Sequence, residues 1–406
     1  MSQPLSGVTI LAAEQMHAMP HATQLLGLMG AEVIKVEPTQ GESGRTGKPS
    51  VVDRDGRSTG STFMRNNLGK ASVGLDLKSD AGRDLFLQLA AGVDVVAENF
   101  RPGTVDRLGI GYESVREINP AVVYVSISGF GNRTDPASPY REWPAYAPIV
   151  EGMAGLYEYS RRDDGPPSLA IAGALGDTGA GLYAVIGTLA ALHDRQRTGK
   201  GSYVDVSMYD SMIAIADIVH VASTGVDPSR VLAGIGILHS FRASDGWFNV
   251  EVVREPHFPR FAHAVGHPEW TEDERLATRA GWDEQMETVI RPAVESWASD
   301  KTKLEAASEL AQRGVAAGPV NLAADIRTDP HVRGRSLVHE IPAPDGSREL
   351  AIVGNPIGLR RDEPEETPPE PNRWPVLGED TDRVLGERLG LDEQALADLR
   401  TRGVIS

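Results

Sequence analysis

The sequence predicts an α/β protein in which a doubly wound, Rossmann-like parallel sheet forms a large domain, accompanied by a smaller α+β domain. Strand-like and helix-like segments alternate up to residue 210, and the pattern changes beyond it. A chain of 406 residues is also too long for one simple core and favours two or three folding units. Regular alternation of this kind is typical of a parallel sheet with helices on both faces.

The alternation begins near the amino terminus. Residues 8–11 form a short apolar run typical of a buried strand, residues 18–29 have apolar side chains at helical spacing, and residues 31–36 are again strand-like. Gly30 favours the end of this helix, because glycine readily adopts the left-handed conformation found there. Strand, helix and strand in this order make one βαβ unit.

The same alternation continues along the chain. Helical periodicity is found at 80–91 and 113–118, and the predicted strands cover 72–77, 93–98 and 122–128. Parallel pairing is expected, because a helical crossover between two strands returns the chain to the same edge of the sheet. The large domain is therefore predicted to span residues 1–210.

The pattern beyond residue 210 indicates a different layout. Residues 213–221 favour a helix, and residues 235–253 predict a β-hairpin that turns at Asp245-Gly246, a pair typical of tight turns. Three further helical patterns follow, at 259–265, 284–298 and 302–312. A hairpin followed by helices is typical of an α+β domain.

Domain boundaries follow from these changes in pattern. We expect a linker over 211–230 and a small α+β domain over 231–325. A second linker is expected over 326–375, because it contains a proline- and glutamate-rich run at 362–371. Residues 376–406 turn helical again and are predicted to return to the large domain.

Composition and charge disfavour several classes of function. The formal net charge of -17 opposes broad contact with nucleic acid or an anionic membrane. The absence of cysteine excludes disulfides, thiolate zinc sites and a thiol nucleophile, and the ten histidines show no metal-binding spacing. The longest apolar stretches, such as 182–192, are shorter than a membrane span, and the amino terminus lacks a secretory signal. We expect a cytoplasmic protein without a metal.

Two familiar motifs occur in the wrong structural context. Residues 56–60 have the spacing of a hydrolase nucleophile elbow, but a polar loop precedes them where a buried strand is needed. Residues 179–184 match a relaxed dinucleotide fingerprint, whereas the first βα turn, where that fingerprint belongs, contains no glycine. A serine nucleophile and a nicotinamide cofactor are therefore disfavoured.

Asp177 is the most informative single residue. It lies in a glycine-rich segment, residues 173–181, which leads into an apolar stripe at helical spacing, so Asp177 is placed at or near a helix amino terminus. One interpretation is a helix cap, a position that aspartate commonly fills. The other is a reactive carboxylate, because neighbouring glycines would let a ligand approach it closely.

At this point the chain resembles the family III CoA-transferases, which include formyl-CoA transferase and carnitine CoA-transferase. The resemblance covers nearly the whole chain. It rests on segments 27–37, 67–78, the run Glu98-Asn-Phe-Arg-Pro-Gly-Thr-Val-Asp-Arg-Leu-Gly109, 173–181, Arg197-Thr-Gly-Lys-Gly201, 204–208, 245–246, 318–320, 354–356 and 377–381. Their order and spacing together are specific, although no single segment is decisive.

The resemblance implies a function and an assembly. It implies transfer of coenzyme A between an acyl-CoA thioester and a carboxylic acid, with Asp177 forming an acyl-enzyme anhydride. The coenzyme A thioester is then a substrate, and no cofactor is bound permanently. The resemblance also implies an interlocked homodimer.

The resemblance further implies site residues. His17 occupies the position of an active-site glutamine; its titration near pH 6.5 would make activity pH-sensitive. Glu14, Gln15 and Glu151 are further polar candidates, and Gly234–Gly236 is a candidate for closing the site. The residues expected to contact coenzyme A are Lys70, Asn99, Phe100, Arg107, Leu108 and Tyr146. An ordinary surface or core role is the alternative for Lys70, Phe100, Arg101 and Arg107.

Other functions stay open. α-Methylacyl-CoA racemases are similar in sequence, but a histidine that precedes their counterpart of Tyr146 is missing from residues 139–146. His17 could supply the base instead. Intramolecular CoA transfer would use the same aspartate. A non-catalytic CoA-binding protein would not explain Asp177 between glycines.

Overall fold

The structure is a computed structural model that describes residues 3–52, 56–132, 137–160, 173–227, 234–343, 346–359 and 373–406. The chain divides into two compact units. The large unit comprises Met1–Tyr157, Pro167–Ile218 and Arg333–Ser406, and the small unit comprises Glu158–Pro166 and Val219–Val332. The proline- and glutamate-rich run at 362–371 lies outside the described residues.

A six-stranded parallel sheet forms the centre of the large unit. Its strands are β1 (Thr9–Ala13), β2 (Glu32–Glu37), β5 (Ala71–Gly74), β6 (Val95–Glu98), β7 (Val123–Ser128) and β8 (Ser202–Ser207); two short strands, β3 (Ser50–Val52) and β4 (Ser58–Gly60), pair apart from it. The order across the sheet is β5-β2-β1-β6-β7-β8, and every pair is parallel. This is the doubly wound order, so the predicted fold class is confirmed.

Helices cover both faces of the sheet, as apolar strands buried on both sides require. The helices of the large unit's first part are α1 (Ala18–Leu28), α2 (Ser61–Asn66), α3 (Asp80–Ala90), α4 (Thr104–Arg107), α5 (Tyr112–Ile118), α6 (Ala147–Met153), α7 (Leu175–Thr198) and α8 (Met208–Ile215). Apolar residues of α1, α7 and α8 share one core with Ile10 and Val125, whereas those of α3 and α5 share the other core with Leu11 and Val96.

Helix α1 ends where the sequence predicts. Gly30 has φ +106°, its N–H donates to Gly27, and the N–H of Ala31 donates to the carbonyl of Leu26. This is a Schellman-type termination, in which the left-handed residue is glycine because it has no Cβ to clash.

Helix α7 extends through the core of the large unit. By length and composition alone it could cross a membrane, and half of its most apolar window is buried. Its inner face packs on α1, α6, α8 and strands β7 and β8. The apolar window of α7 is longer than the stretch 182–192 named from the sequence, and packing inside the large unit explains its apolar character.

The chain returns to the large unit at its end. Helices α16 (Thr381–Leu389) and α17 (Glu393–Thr401) pack Val384 and Leu396 into the core that contains α3. The N–H of Ser406 donates to Gly74 of the edge strand β5. A hairpin of β12 (Val338–Pro342) and β13 (Glu349–Val353) lies within the stretch expected as a linker.

The small unit is α+β, as expected. Strands β9 (Ile237–Ala243), β10 (Gly246–Val252) and β11 (Ala316–Pro319) form an antiparallel sheet, and the predicted hairpin turn is confirmed. The helices along this part of the chain are α9 (Ile218–Ser223), α10 (Phe258–Ala264), α11 (Arg279–Glu284), α12 (Arg291–Trp297), α13 (Lys303–Gln312), α14 (Ala323–Thr328) and α15 (Pro330–Gly334). The helix predicted over 213–221 is broken, because Ala216 adopts an extended conformation with ψ 116°.

Candidate active site

The sheet order places one crevice where ligands bind in open α/β sheets. Strand β1 lies between β2 and β6, and the connections leave these strands in opposite directions. Ala13 and Glu98 are paired, so the residues that follow β1 and β6 meet at the same edge. This is the topological switch point, where crevices open beyond the carboxyl ends of the strands.

Asn99 fixes the turn that follows β1. Its Oδ1 accepts from the backbone N–H of Gln15 at 2.9 Å, and its Nδ2 donates to the carbonyl of Gln15 at 2.9 Å. From the other side, the N–H of Met16 donates to Glu42 Oε2 at 3.1 Å. Met16 has φ +62°, a strained value for a residue with a side chain. These bonds hold the strained turn and thereby orient the next residue, His17.

His17 faces the start of α7. Its Nε2 lies 3.3 Å from Thr178 Oγ1, and its ring lies 6.0 Å from that of His21. Burial, followed by the positive charge of Arg65, lowers the pKa of both imidazoles to about 4. His17 is therefore neutral at neutral pH, and the expected titration near pH 6.5 is corrected.

Glu151 caps helix α7. The N–H of Gly176, in the first turn, donates to Glu151 Oε1 at 2.9 Å, and the hydroxyl of Tyr157 donates to Oε2 at 2.7 Å. Glu151 is 1% exposed. It satisfies one of the backbone donors that a helix start leaves free.

Asp177 is consequently not a cap. It lies in the first turn of α7, after the N-cap position of Ala174, and no donor among the described residues contacts its carboxylate. The side chain is half-buried. Burial, followed by the negative charge of Glu151, raises its pKa to about 6. The capping interpretation of Asp177 is therefore wrong, and its reactive interpretation stays a prediction.

The glycines around Asp177 serve packing rather than ligand approach. A Cβ at Gly176 would lie 2.9 Å from Ala147 Cα of α6, and one at Gly179 would lie 2.6 Å from the methyl group of Met212 in α8. A Cβ at Gly181 would lie 2.9 Å from a carbonyl oxygen of α1. These three glycines let α7 approach its neighbours closely; the predicted role in ligand access is left only for Gly173, whose Cβ position is open.

Lys70 is enclosed in the interior. It is 5% exposed, and its ammonium group donates to Glu14 Oε1 at 2.7 Å, Thr23 Oγ1 at 2.8 Å and the carbonyl of Pro20 at 3.0 Å. An ammonium group has three donors, and all three are engaged. This geometry opposes the predicted contact of Lys70 with coenzyme A and gives Lys70 and Glu14 a structural role.

The other residues predicted to contact coenzyme A differ in their burial. Phe100 and Leu108 are half-buried against the core beneath α3, and Arg107 is exposed with one bond to Thr104 Oγ1 at 3.1 Å. Tyr146, at the start of α6, is 65% exposed. Asn99, Phe100, Arg107 and Leu108 belong to the segment after β6. Gly234–Gly236 lies in the small unit.

Three residues of the site were not predicted. Thr178 contacts His17, Glu42 holds the Met16 N–H, and Arg65 depresses the pKa of His17. The proximity of Thr178 to Asp177 in sequence was the one available signal. Glu42 and Arg65 reach His17 only through the fold, because neither is near it along a strand or helix.

Comparison with known proteins identifies the family of the chain. Residues 5–381 match the model of CoA-transferase family III. The chain is 33% identical to a succinyl-CoA:mesaconate CoA-transferase of Haloarcula hispanica, covering 94% of this chain and 96% of the relative. It is 32% identical to a succinyl-CoA–D-citramalate CoA-transferase of Chloroflexus aurantiacus, covering 99% and 98%.

A solved structure supports the same assignment. A CAIB/BAIF family protein from Brucella suis is 30% identical and superposes with a TM-score of 0.82, covering 96% of this chain and 100% of that protein. Sequence and structure agree over nearly the full length. The chain therefore belongs to CoA-transferase family III and is an enzyme that transfers coenzyme A between an acyl-CoA and an acid.

Proposed function

We propose that this CoA-transferase works through a covalent aspartyl anhydride at Asp177. One observation carries the proposal: the half-buried carboxylate of Asp177 has no hydrogen-bond donor among the described residues, while Glu151 satisfies the backbone beside it. A carboxylate without donors keeps its lone pairs available to attack a carbonyl carbon.

The reaction conserves the activated bond at each step. An Asp177 oxygen attacks the thioester carbonyl and forms a C–O bond, the C–S bond breaks, and the products are a mixed anhydride on Asp177 and coenzyme A as its thiolate. The thiolate attacks the aspartyl carbonyl and releases the first acid, which leaves an aspartyl thioester. The second acid attacks that thioester and forms a new anhydride, and the thiolate then takes the new acyl group and frees Asp177.

The raised pKa of Asp177 suits this role. With a pKa of about 6, the carboxylate is still mostly ionised at neutral pH, so it can attack. It is also more basic than an ordinary aspartate, which increases its reactivity toward a carbonyl. Glu151 contributes to this rise through its charge and does not itself need to touch the substrate.

His17 supplies a neutral donor in this proposal. Its ring adjoins Thr178 at 3.3 Å, and its pKa of about 4 keeps it uncharged. A neutral imidazole carries one N–H, which can stabilise the oxyanion that forms when the thioester is attacked. A glutamine amide would offer an equivalent donor.

Chemical trapping tests the proposal. The enzyme is incubated with an acyl-CoA but no acceptor, treated with hydroxylamine or borohydride, and digested for mass spectrometry. We expect one modified carboxylate, at Asp177, and none in Asp177→Ala. The matched control Asp194→Ala changes an exposed aspartate on the last turns of the same helix and should leave trapping intact.

The racemase alternative predicts the opposite result. If His17 and Asp177 exchanged a proton beside the thioester, no adduct would form, and deuterium from heavy water would appear at the α-carbon of the acyl group. That combination would refute the anhydride. Formation of a labelled thioester of a second acid from labelled acyl-CoA, together with trapping at Asp177, supports transfer.

We also propose that short dicarboxylic acids are substrates. The Haloarcula and Chloroflexus relatives are named for succinyl-CoA with mesaconate or D-citramalate, and each of these acids carries two carboxyl groups. Initial rates with succinyl-CoA and a panel of monocarboxylates and dicarboxylates measure this directly. A preference for monocarboxylates would contradict it.

We further propose that the enzyme is a homodimer. Leu182 and Ile186 on one face of α7 are 48% and 61% exposed, and Ile149 of α6 is 47% exposed. Exposed apolar side chains on adjoining helices favour burial against a second copy. Light scattering should give a dimer for the wild type and a smaller species for Ile186→Glu; an unchanged mass for the variant would count against this face.

A further inference from the structure

His17 also borders a cavity of about 460 Å³ in the large unit. The cavity lies between the segment 49–51, helix α2 and strand β13. Its described lining comprises His17, Pro49, Ser50, Val51, Ser61, Thr62, Met64, Arg65, Arg348, Leu350, Ala351, Ile352 and Val353. Since His17 also contacts Thr178, this one side chain connects the cavity to the helix turn that carries Asp177.

The charge of the cavity is unusual for this protein. The chain has 57 acidic against 40 basic residues, yet the described lining contains two arginines and no carboxylate. Arg65 and Arg348 are exposed, and neither has an ion-pair partner among the described residues. Most other described arginines of the large unit form an ion pair with a carboxylate, as Arg83 and Arg195 do. Two unpaired guanidinium groups facing one cavity indicate an anion as the ligand.

Beside His17 and three hydroxyl side chains, the rest of the lining is apolar, and neighbouring contacts support it. Met64 and Ile352 belong to a buried cluster with Phe63 and Trp374, which joins α2 to the β12–β13 hairpin. The N–H of Ser61 donates to the carbonyl of Pro49 at 2.8 Å, so the loop and the helix are also joined. Arg65 therefore projects from a helix that is packed in place, and Arg348 lies in the bend before β13, where its carbonyl accepts from the N–H of Ala343 at 2.8 Å. The apolar surface beside them suits a short hydrocarbon chain.

We propose that this cavity binds the free carboxylate of a dicarboxylic half-thioester, with Arg65 and Arg348 as its ligands. The hydrocarbon part lies against Met64 and Ile352, and His17 stands between the bound carboxylate and Asp177. The proposal rests on the proposed function, because it assigns the second carboxyl group of the acid that is transferred. It makes these two arginines specificity residues rather than catalytic ones.

Succinyl-CoA and butyryl-CoA test the proposal, because they differ only by a carboxylate in place of a terminal methyl group. We measure kcat/KM with both donors for the wild type, Arg65→Gln, Arg348→Gln and the double variant. The assay is run at pH 8, where His17 is neutral with or without the charge of Arg65. Each single variant should lose about ten- to a hundredfold with succinyl-CoA, as expected for one charge-assisted bond, and less than about twofold with butyryl-CoA.

The matched control is Arg197→Gln, an exposed arginine on α7 that pairs with Asp194 and lies outside the cavity. It should leave both donors unchanged. Circular dichroism of every variant checks the fold. Equal losses with both donors would assign the arginines to the phosphates of coenzyme A and overturn the proposal, and so would the absence of any loss.

A binding experiment separates this inference from the reaction mechanism. Calorimetry with succinate and with butyrate needs no turnover; we expect succinate to bind more tightly to the wild type and to lose that advantage in the double variant. If Asp177 is not trapped but this dependence holds, the anhydride fails and the carboxylate site stands. If trapping succeeds and the two acids bind alike in wild type and variant, the carboxylate site fails alone.

Discussion

Replacing Glu151 by glutamine should shift the pH dependence of activity. The pKa of Asp177 rises from 3.8 for an ordinary aspartate to about 6, through burial first and the charge of Glu151 second. Because the charge is the smaller of these two causes, Glu151→Gln should lower the pKa by no more than about one pH unit. Glutamine keeps an oxygen for the Gly176 N–H, so the cap is retained.

The sign of the shift follows from the chemistry. In the proposed mechanism Asp177 must be ionised to attack, so we expect activity to fall as the pH falls through its pKa, near pH 6 in the wild type. In Glu151→Gln this acid limb should move to lower pH. The assay is kcat/KM for CoA transfer as a function of pH.

The control for this shift is Asp194→Asn, which removes one negative charge from the exposed far end of α7 and should leave the limb in place. An acid limb that stays fixed in Glu151→Gln, or moves to higher pH, would refute the electrostatic link between the two carboxylates. A lower maximal rate with an unmoved limb would show that Glu151 acts only as a cap.

Substitutions at three further positions test other parts of the structure. Lys70→Met leaves the buried Glu14 with only Lys35, at 3.6 Å, as counter-charge among the described residues. The free energy of unfolding in urea should therefore fall by about 3 kcal/mol. The control Arg197→Ala changes an exposed ion pair and should lower it by less than about 0.5 kcal/mol. Gly176→Ala places a Cβ 2.9 Å from the backbone of α6 and should lower the free energy of unfolding by about 1–3 kcal/mol in the same assay. An unchanged stability would show that α6 can move away to make room for the methyl group. His17→Gln should retain kcat within about tenfold because one neutral donor remains, whereas His17→Phe should lose about a hundredfold; equal loss in both would deny the donor role.

The order of strands and helices could be predicted because it depends on local periodicity. Residues 18–29 and 80–91 alternate apolar and polar side chains at helical spacing, and the structure has helices at Ala18–Leu28 and Asp80–Ala90. The break after Ile215 was missed, because residues 213–221 keep their apolar pattern through it. Periodicity reports which face is buried and does not report where the backbone leaves the helix.

The site was less predictable, because its contacts connect distant parts of the chain. Asp177 and His17 were identified through resemblance, whereas Arg65 and Arg348 have no local signature that distinguishes them from surface arginines. Lys70 shows the opposite situation. Its position matches a family motif, but only the fold reveals that Glu14 and Thr23 occupy its donors.

The start of α7 explains how an aspartate in the first turn of a helix remains chemically available. A carboxylate at the third position of a helix can accept the backbone N–H of the N-cap residue, which stabilises its charge and lowers its reactivity. Here Glu151, from α6, takes the Gly176 N–H, and Gly176 permits the close approach that brings α6 there. The same Glu151 raises the pKa of Asp177. One packing contact thus caps the helix through Glu151 and raises the basicity of Asp177. If Asp177 is the nucleophile proposed above, a substitution at Glu151 should alter the acid limb without any contact between Glu151 and the substrate.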